Sequence, residues 1–116
     1  MRIGADYYPE HWEKERWKTD AEMMVKANIK VIRIGEFAWS LYEPEEGKYE
    51  FDWMDEALDF FGKYGIKVVM CTPSATPPKW MIDKYPDILQ NDIHGNPKLF
   101  GTRKHYCFNS ETYREK

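Results

Sequence analysis

The stretch Val31-Ile32-Arg33-Ile34-Gly35-Glu36-Phe37-Ala38-Trp39-Ser40 decides the fold. Its first four residues are β-branched apart from one arginine, the composition of a buried strand. Strand alternation puts Val31 and Arg33 on one face and Ile32 and Ile34 on the other. Arg33 is then a permanent charge among apolar neighbours, so a carboxylate or a polar ligand is expected beside it. Glycine, glutamate and two aromatics follow at once, and the strand ends by delivering charged groups to a surface.

Upstream, Ile3 to Ala5 reads as a first strand, followed by the aromatic turn Asp6 to Trp12, through which Pro9 is expected to exclude a helix. Trp17, Ala21, Met24 and Val25 then recur at helical spacing, predicting an amphipathic helix from Lys14 to Ala27 with Asn28 as a left-handed cap. Downstream lies a long connection, Gly35 to Glu50. Asp52 is placed to cap a second helix with Ala57, Leu58 and Phe61 as its apolar stripe, Gly65 ends it, and Lys67 to Cys71 reads as a third strand.

Asn28 to Ile34 and Gly65 to Cys71 show one helix-end and strand pattern repeated 37 residues apart. Aligned in this way, Met70 takes the place of Arg33, and Cys71 takes that of Ile34, facing the helices as a small buried hydrophobe. Alternating strands and helices predict an α/β fold with parallel strands and right-handed crossovers. The helix-to-strand links are short, whereas the links after each strand are long and aromatic. In both α/β barrels and open α/β sheets, ligands bind on the face that such links build. The third of them, Thr72 to about Asn109, is the longest and contains a short helix near Pro78 to Tyr85. Ser110 or Thr112 then caps a further helix, Thr112 and Glu115 having the capping-box spacing. A sequence that stops inside a starting helix is expected to be an incomplete domain with open strand edges.

Composition narrows the function classes. Of 116 residues, 42% are hydrophobic and 16% aromatic, enough for a core. The net charge of −3 is spread without a basic cluster, which argues against nucleic acid or an anionic membrane as partner. The apolar runs are too short to span a bilayer, and two cysteines without a secretory leader pattern point to the cytoplasm.

Four stretches, GADYYPEHW (Gly4 to Trp12), RIGEFAWS (Arg33 to Ser40), TPSATPPKW (Thr72 to Trp80) and GTRKHYCFNSETYRE (Gly101 to Glu115), together resemble the amino-terminal part of glycoside hydrolase family 42, the microbial β-galactosidases. The resemblance implies a (β/α)8 barrel, of which this sequence would hold the first three strands and their helices, about a third. It also implies retaining hydrolysis of terminal β-linked galactose, which needs two carboxyl groups about 5 Å apart. In the family these glutamates follow the fourth and seventh strands, so neither is expected within these 116 residues, and the piece alone is expected to be inactive. Arg103 matches the family's substrate-binding arginine, whose planar fork suits paired sugar hydroxyls. Cys107 matches the first cysteine of a zinc site found in many members; one thiolate, even with His105 nearby, cannot complete a tetrahedral site. Arg33 resembles an arginine that lies against the nucleophile in related barrels. A homo-oligomer, often a trimer, is implied for the complete protein. Phe108 and Glu111 depart from positions where prolines are common, and Thr102 from one where serine is.

Plainer readings stand beside these. Glu36 is more simply an ion-pair partner of Arg33 than a catalytic carboxylate, and Arg33 is equally a core arginine satisfied by Glu36. Trp12, Trp39 and Trp80 are assigned to ligand-face loops, Trp17 and Trp53 to helix packing, and His11 and His94 to no chemical role. Two other functions remain open: a β-L-arabinopyranosidase of the same family, and a non-catalytic sugar-binding or structural module.

Overall fold

The computed structural model of the protein describes residues 3–101, 103 and 105–116. Strands β1 (Ile3–Asp6), β2 (Ile29–Ile34) and β3 (Lys67–Met70) form one parallel sheet in the order β1-β2-β3. Helices α1 (Lys14–Lys26) and α3 (Asp52–Lys63) are the crossovers, as the alternating pattern predicts. The short helices α2 (Trp39–Tyr42), α4 (Lys79–Lys84) and α5 (Glu111–Glu115) lie in the segments that follow β2 and β3. The chain divides into two compact units, one of residues up to Glu36 together with Phe51–Thr72, the other of Phe37–Glu50 and Pro73–Lys116. Among the described residues no helix is long and apolar enough to cross a membrane.

The first unit carries the sheet. Ile32 and Ile34 are fully buried with Trp17, Ala21, Met54, Ala57 and Phe61, while Val31 and Arg33 on the opposite face are partly exposed, as alternation requires. Asn28 adopts a left-handed conformation at φ 59° and Gly65 does so at φ 70°, and each turns a helix end into the next strand. Gly4 packs against β2 so closely that an added Cβ would stand 3.1 Å from the Val31 carbonyl oxygen, where glycine alone fits without displacing backbone.

Several local expectations are corrected. Pro9 opens a 3-10 turn, Pro9–His11, because the first helical position needs no N–H and suits the fixed φ of proline. Val25 is exposed, and Met54 takes a place in the α3 stripe while Leu58 is only partly buried. Phe51, not Asp52, caps α3, since the Phe51 carbonyl already accepts from the Met54 and Asp55 amides. Val69 pairs with Arg33 and Met70 with Ile34, one residue out from the repeat alignment. Cys71 therefore follows on the Arg33 side, half-buried rather than core, its amide donating to the Ile34 carbonyl at 2.9 Å.

The second unit packs Met81, Ile82, Ile88, Tyr106 and Tyr113 into a core, with Trp39, Trp80, Tyr85 and Leu89 against it. The Tyr106 and Tyr113 rings stack at 4.3 Å. The long third connection is held by antiparallel bridges pairing Leu89 with Tyr106 and Asn91 with Pro97. Ser110 caps α5, its hydroxyl accepting from the Tyr113 amide at 3.3 Å, and Thr112 instead donates to Asp87 at 2.9 Å. Trp39 and Trp80 lie in the connections after β2 and β3, on the short helices α2 and α4, and α4 falls within the helix expected near Pro78 to Tyr85.

Glu43 organises the start of this unit. Nearly excluded from solvent, its carboxylate accepts from the Trp39 indole at 2.9 Å and the Gly47 amide at 2.8 Å, while its carbonyl accepts from the Trp80 indole at 2.8 Å. Glu43→Ala strands two donors and is expected to destabilise the unit by about 2 kcal/mol. Urea denaturation followed by tryptophan emission checks this, and a midpoint unchanged from the parent protein would contradict it.

Candidate functional site

The carboxyl ends of the strands bring Asp6, Arg33 and Glu36 together in the first unit. Parallel pairing sets Asp6 directly beside Arg33, and the Tyr7 amide extends that pairing by donating to the Arg33 carbonyl at 2.9 Å. The guanidinium donates through Nε to Asp6 Oδ1 at 2.8 Å and through Nη2 to Asp6 Oδ2 at 3.2 Å, while Nη2 also donates to Glu36 Oε2 at 2.6 Å. One edge and one tip of the fork are thus filled. Nη1 has no hydrogen-bond partner among the described residues, leaving two donors for a further acceptor.

Arg33 depresses the Asp6 carboxyl below the usual aspartate range, chiefly through the direct hydrogen bond, and Asp6 in turn raises the basicity of Arg33. Both members are held charged. Residues Gly4, Ala5, Asp6, Val31 and Arg33 border an open concavity of about 310 Å³. Sequence reasoning foresaw a carboxylate beside Arg33 and named Glu36. It missed Asp6, whose closeness depends on strand register across 27 residues.

A buried carboxylate was also missed. Asp20, buried on the inner face of α1, accepts from the Tyr7 hydroxyl at 2.9 Å and from Arg16 at 3.2 Å. Burial, then the hydrogen bond to Asp20, pushes the Tyr7 hydroxyl well above the usual tyrosine range. Arg16 also covers Trp12, its guanidinium 4.1 Å from the ring centre, and so occupies one face of the indole. Burial raises the Glu10 carboxyl on the adjoining turn.

Arg103 belongs to the second unit. It is exposed, and its guanidinium lies 4.6 Å from the centre of the Phe37 ring. Its neighbours Thr102 and Lys104 are outside the described residues. Cys107 is a half-buried free thiol. Its amide donates to the Ile88 carbonyl at 2.7 Å, and with Asp87, Asn109 and Glu111 it borders an open concavity of about 450 Å³. His105 is fully buried, with its ring edge-on to Phe100 and Tyr106. Among the described residues no three His, Cys, Asp or Glu side chains converge on a point where a metal could sit, so these residues do not by themselves compose a zinc site. His11 stacks on Tyr8 at 5.2 Å, and the His94 amide donates to Asp92 in an exposed turn.

Comparison with known proteins agrees with this architecture. The family model for glycoside hydrolase family 42, described as β-galactosidase, matches residues 6–116. A β-galactosidase of Thermus thermophilus is 56% identical over 113 residues, which are 97% of this chain and 18% of that protein. One of Haloferax lucentense is 52% identical over 114 residues, 98% of this chain and 17% of the relative. Among solved structures, the β-galactosidase of the psychrophilic Marinomonas ef1 superposes with a TM-score of 0.93 at 48% identity, covering 99% of this chain and 18% of the other. That of Bacillus circulans sp. alkalophilus does so with 0.95 at 36% identity, covering 99% and 17%. The chain therefore spans less than a fifth of the length of these relatives.

Proposed function

Because this chain belongs to glycoside hydrolase family 42, the β-galactosidases, and matches an amino-terminal portion of such proteins, we propose that it supplies the opening part of a retaining β-galactosidase barrel. The match over residues 6–116 is the observation that carries this reading. The Arg33 cluster at the carboxyl ends of the strands supports it chemically.

Retaining hydrolysis needs one carboxylate to attack the anomeric carbon while a second carboxylic acid protonates the departing oxygen, the second then activating the water that releases the sugar. Asp6 and Glu36 fill neither role in this reading. Both are spent on one guanidinium, and Asp6 is held ionised. The catalytic glutamates come from elsewhere in the intact enzyme, and residues 1–116 alone do not turn over substrate. Arg33 offers its open Nη1 donors to the nucleophile, keeping it charged and aimed. Arg103 forks onto sugar hydroxyls, and Cys107 gives one thiolate to a structural zinc whose remaining ligands lie elsewhere. The intact protein assembles as a homo-oligomer in this reading.

The test is hydrolysis of a nitrophenyl β-D-galactopyranoside by the full-length enzyme carrying this chain, with the nitrophenyl β-L-arabinopyranoside and its α anomer as competitor substrates. Arg103→Ala is expected to raise KM about tenfold, the loss of one charge-assisted contact. Turnover by residues 1–116 alone, or preference for the pentoside, would overturn the assignment.

A further inference from the structure

We propose that Phe37 is a positioning residue for Arg103, its ring acting as a platform that holds the guanidinium ready for the sugar. This rests on the reading of Arg103 as a sugar-binding residue and extends it to a group that never touches substrate. The guanidinium carbon lies 4.6 Å from the Phe37 ring centre, well inside the range over which the negative face of an aromatic attracts a cation. Arg103 is exposed, and a long exposed side chain samples many rotamers that must be given up on binding. Stacking on a fixed ring removes much of that freedom before substrate arrives.

The ring is well placed to serve. Phe37 is half-buried and directly precedes Ala38, the buried N-cap of α2, whose carbonyl accepts from the Leu41 and Tyr42 amides at 3.0 and 2.9 Å. Its own carbonyl accepts a long hydrogen bond of 3.5 Å from the Thr76 hydroxyl. The turn after α2 is locked in addition by the Glu43 contacts to Trp39 and Gly47. A half-buried aromatic on a hydrogen-bonded segment thus carries an exposed cation.

A cation–π contact at an exposed site corresponds to about a two- to fivefold change in binding. In the full-length enzyme, Phe37→Leu is therefore expected to raise KM by that factor with little change in kcat, and Phe37→Trp to restore it. In an Arg103→Ala background, Phe37→Leu is expected to add nothing. Progressive fluorination of the ring keeps its shape and weakens its negative face, so KM should climb stepwise even if the leucine variant folds poorly. In the 116-residue chain itself, the Arg103 side-chain protons should show an upfield ring-current shift that Phe37→Leu abolishes.

An unchanged KM in Phe37→Leu beside a raised KM in Arg103→Ala overturns the platform and leaves the sugar-binding reading intact. A rise in KM that persists in the Arg103→Ala background makes Phe37 a direct sugar contact and also overturns it. An unchanged KM in Arg103→Ala itself removes the sugar-binding reading, whatever the ring-current shift shows.

Discussion

Arg33→Ala in the full-length enzyme is expected to lower kcat by about 100- to 1,000-fold, the loss typical of removing a preorganised donor from a reacting charge. The expectation comes from how the fork is occupied. Asp6 takes Nε and Nη2, Glu36 takes the second Nη2 hydrogen, and Nη1 has no partner among the described residues, the position that the proposed function gives to the nucleophile. Arg33→Lys keeps the charge but cannot span Asp6 and a second acceptor in one plane, so it should recover only a minor part of the loss. The variant also frees Asp6. Its carboxyl is depressed in the native protein, so the pairing stabilises above the ordinary aspartate pKa and is lost as pH falls through the depressed value. Without Arg33, Asp6 should titrate in the usual aspartate range, readable by carbon-detected NMR of the side-chain carboxyl. A kcat within threefold of the parent, with Asp6 shifted, would leave Arg33 a purely structural residue.

Phe61→Ala is expected to cost the first unit about 3–5 kcal/mol, the range for deleting a buried phenylalanine. Phe61 is fully buried at the centre of a ring cluster, 5.3 Å from Tyr7, 5.4 Å from Phe60 and 6.1 Å from Trp17. Its removal opens a cavity between α3 and the sheet and strips an edge contact from Tyr7, the donor to Asp20. Amide exchange in β2, at Ile32 and Ile34, reports the loss. A change below 1 kcal/mol would mean that the cavity closes by collapse and that the ring cluster is not the core of this unit.

The parallel sheet was legible because its signals are local. Four residues of alternating pattern fix the faces of β2, and Asn28 and Gly65 mark helix ends by backbone conformations that few residues tolerate. Register was not legible: the repeat gave Cys71 the helix-facing place of Ile34, whereas Val69 pairs with Arg33 and Cys71 falls on the Arg33 side, because pairing is decided by how the crossover packs and not by strand sequence. The same reason hid Asp6. Buried carboxylates were hidden differently. Asp20 lies on an apolar helix face where a pattern reading expects no charge, and its partner Tyr7 is 13 residues away. Glu43 had readable partners, a tryptophan four residues before and a glycine four after, but only the turn geometry after α2 gives them a common acceptor. Of the candidate residues, Arg33 lay in the strand that decides the fold, whereas Arg103 and Cys107 were legible only through resemblance.

The two units alternate along the sequence, with the chain passing from one to the other after residues 36, 50 and 72. On a ribosome this imposes a schedule. The first unit has all its residues once position 72 has emerged, and it can close then. Residues 37–50 appear earlier but belong to a core whose last large ring is Tyr113. Trp39 leaves the ribosome 74 residues ahead of Tyr113. At about 5–20 residues per second that is a wait of roughly 4 to 15 s. Glu43 and Glu46, charged groups that water solvates while the segment waits, are its anchors in the folded unit, to Trp39, Gly47, Lys84, Tyr85 and Lys116.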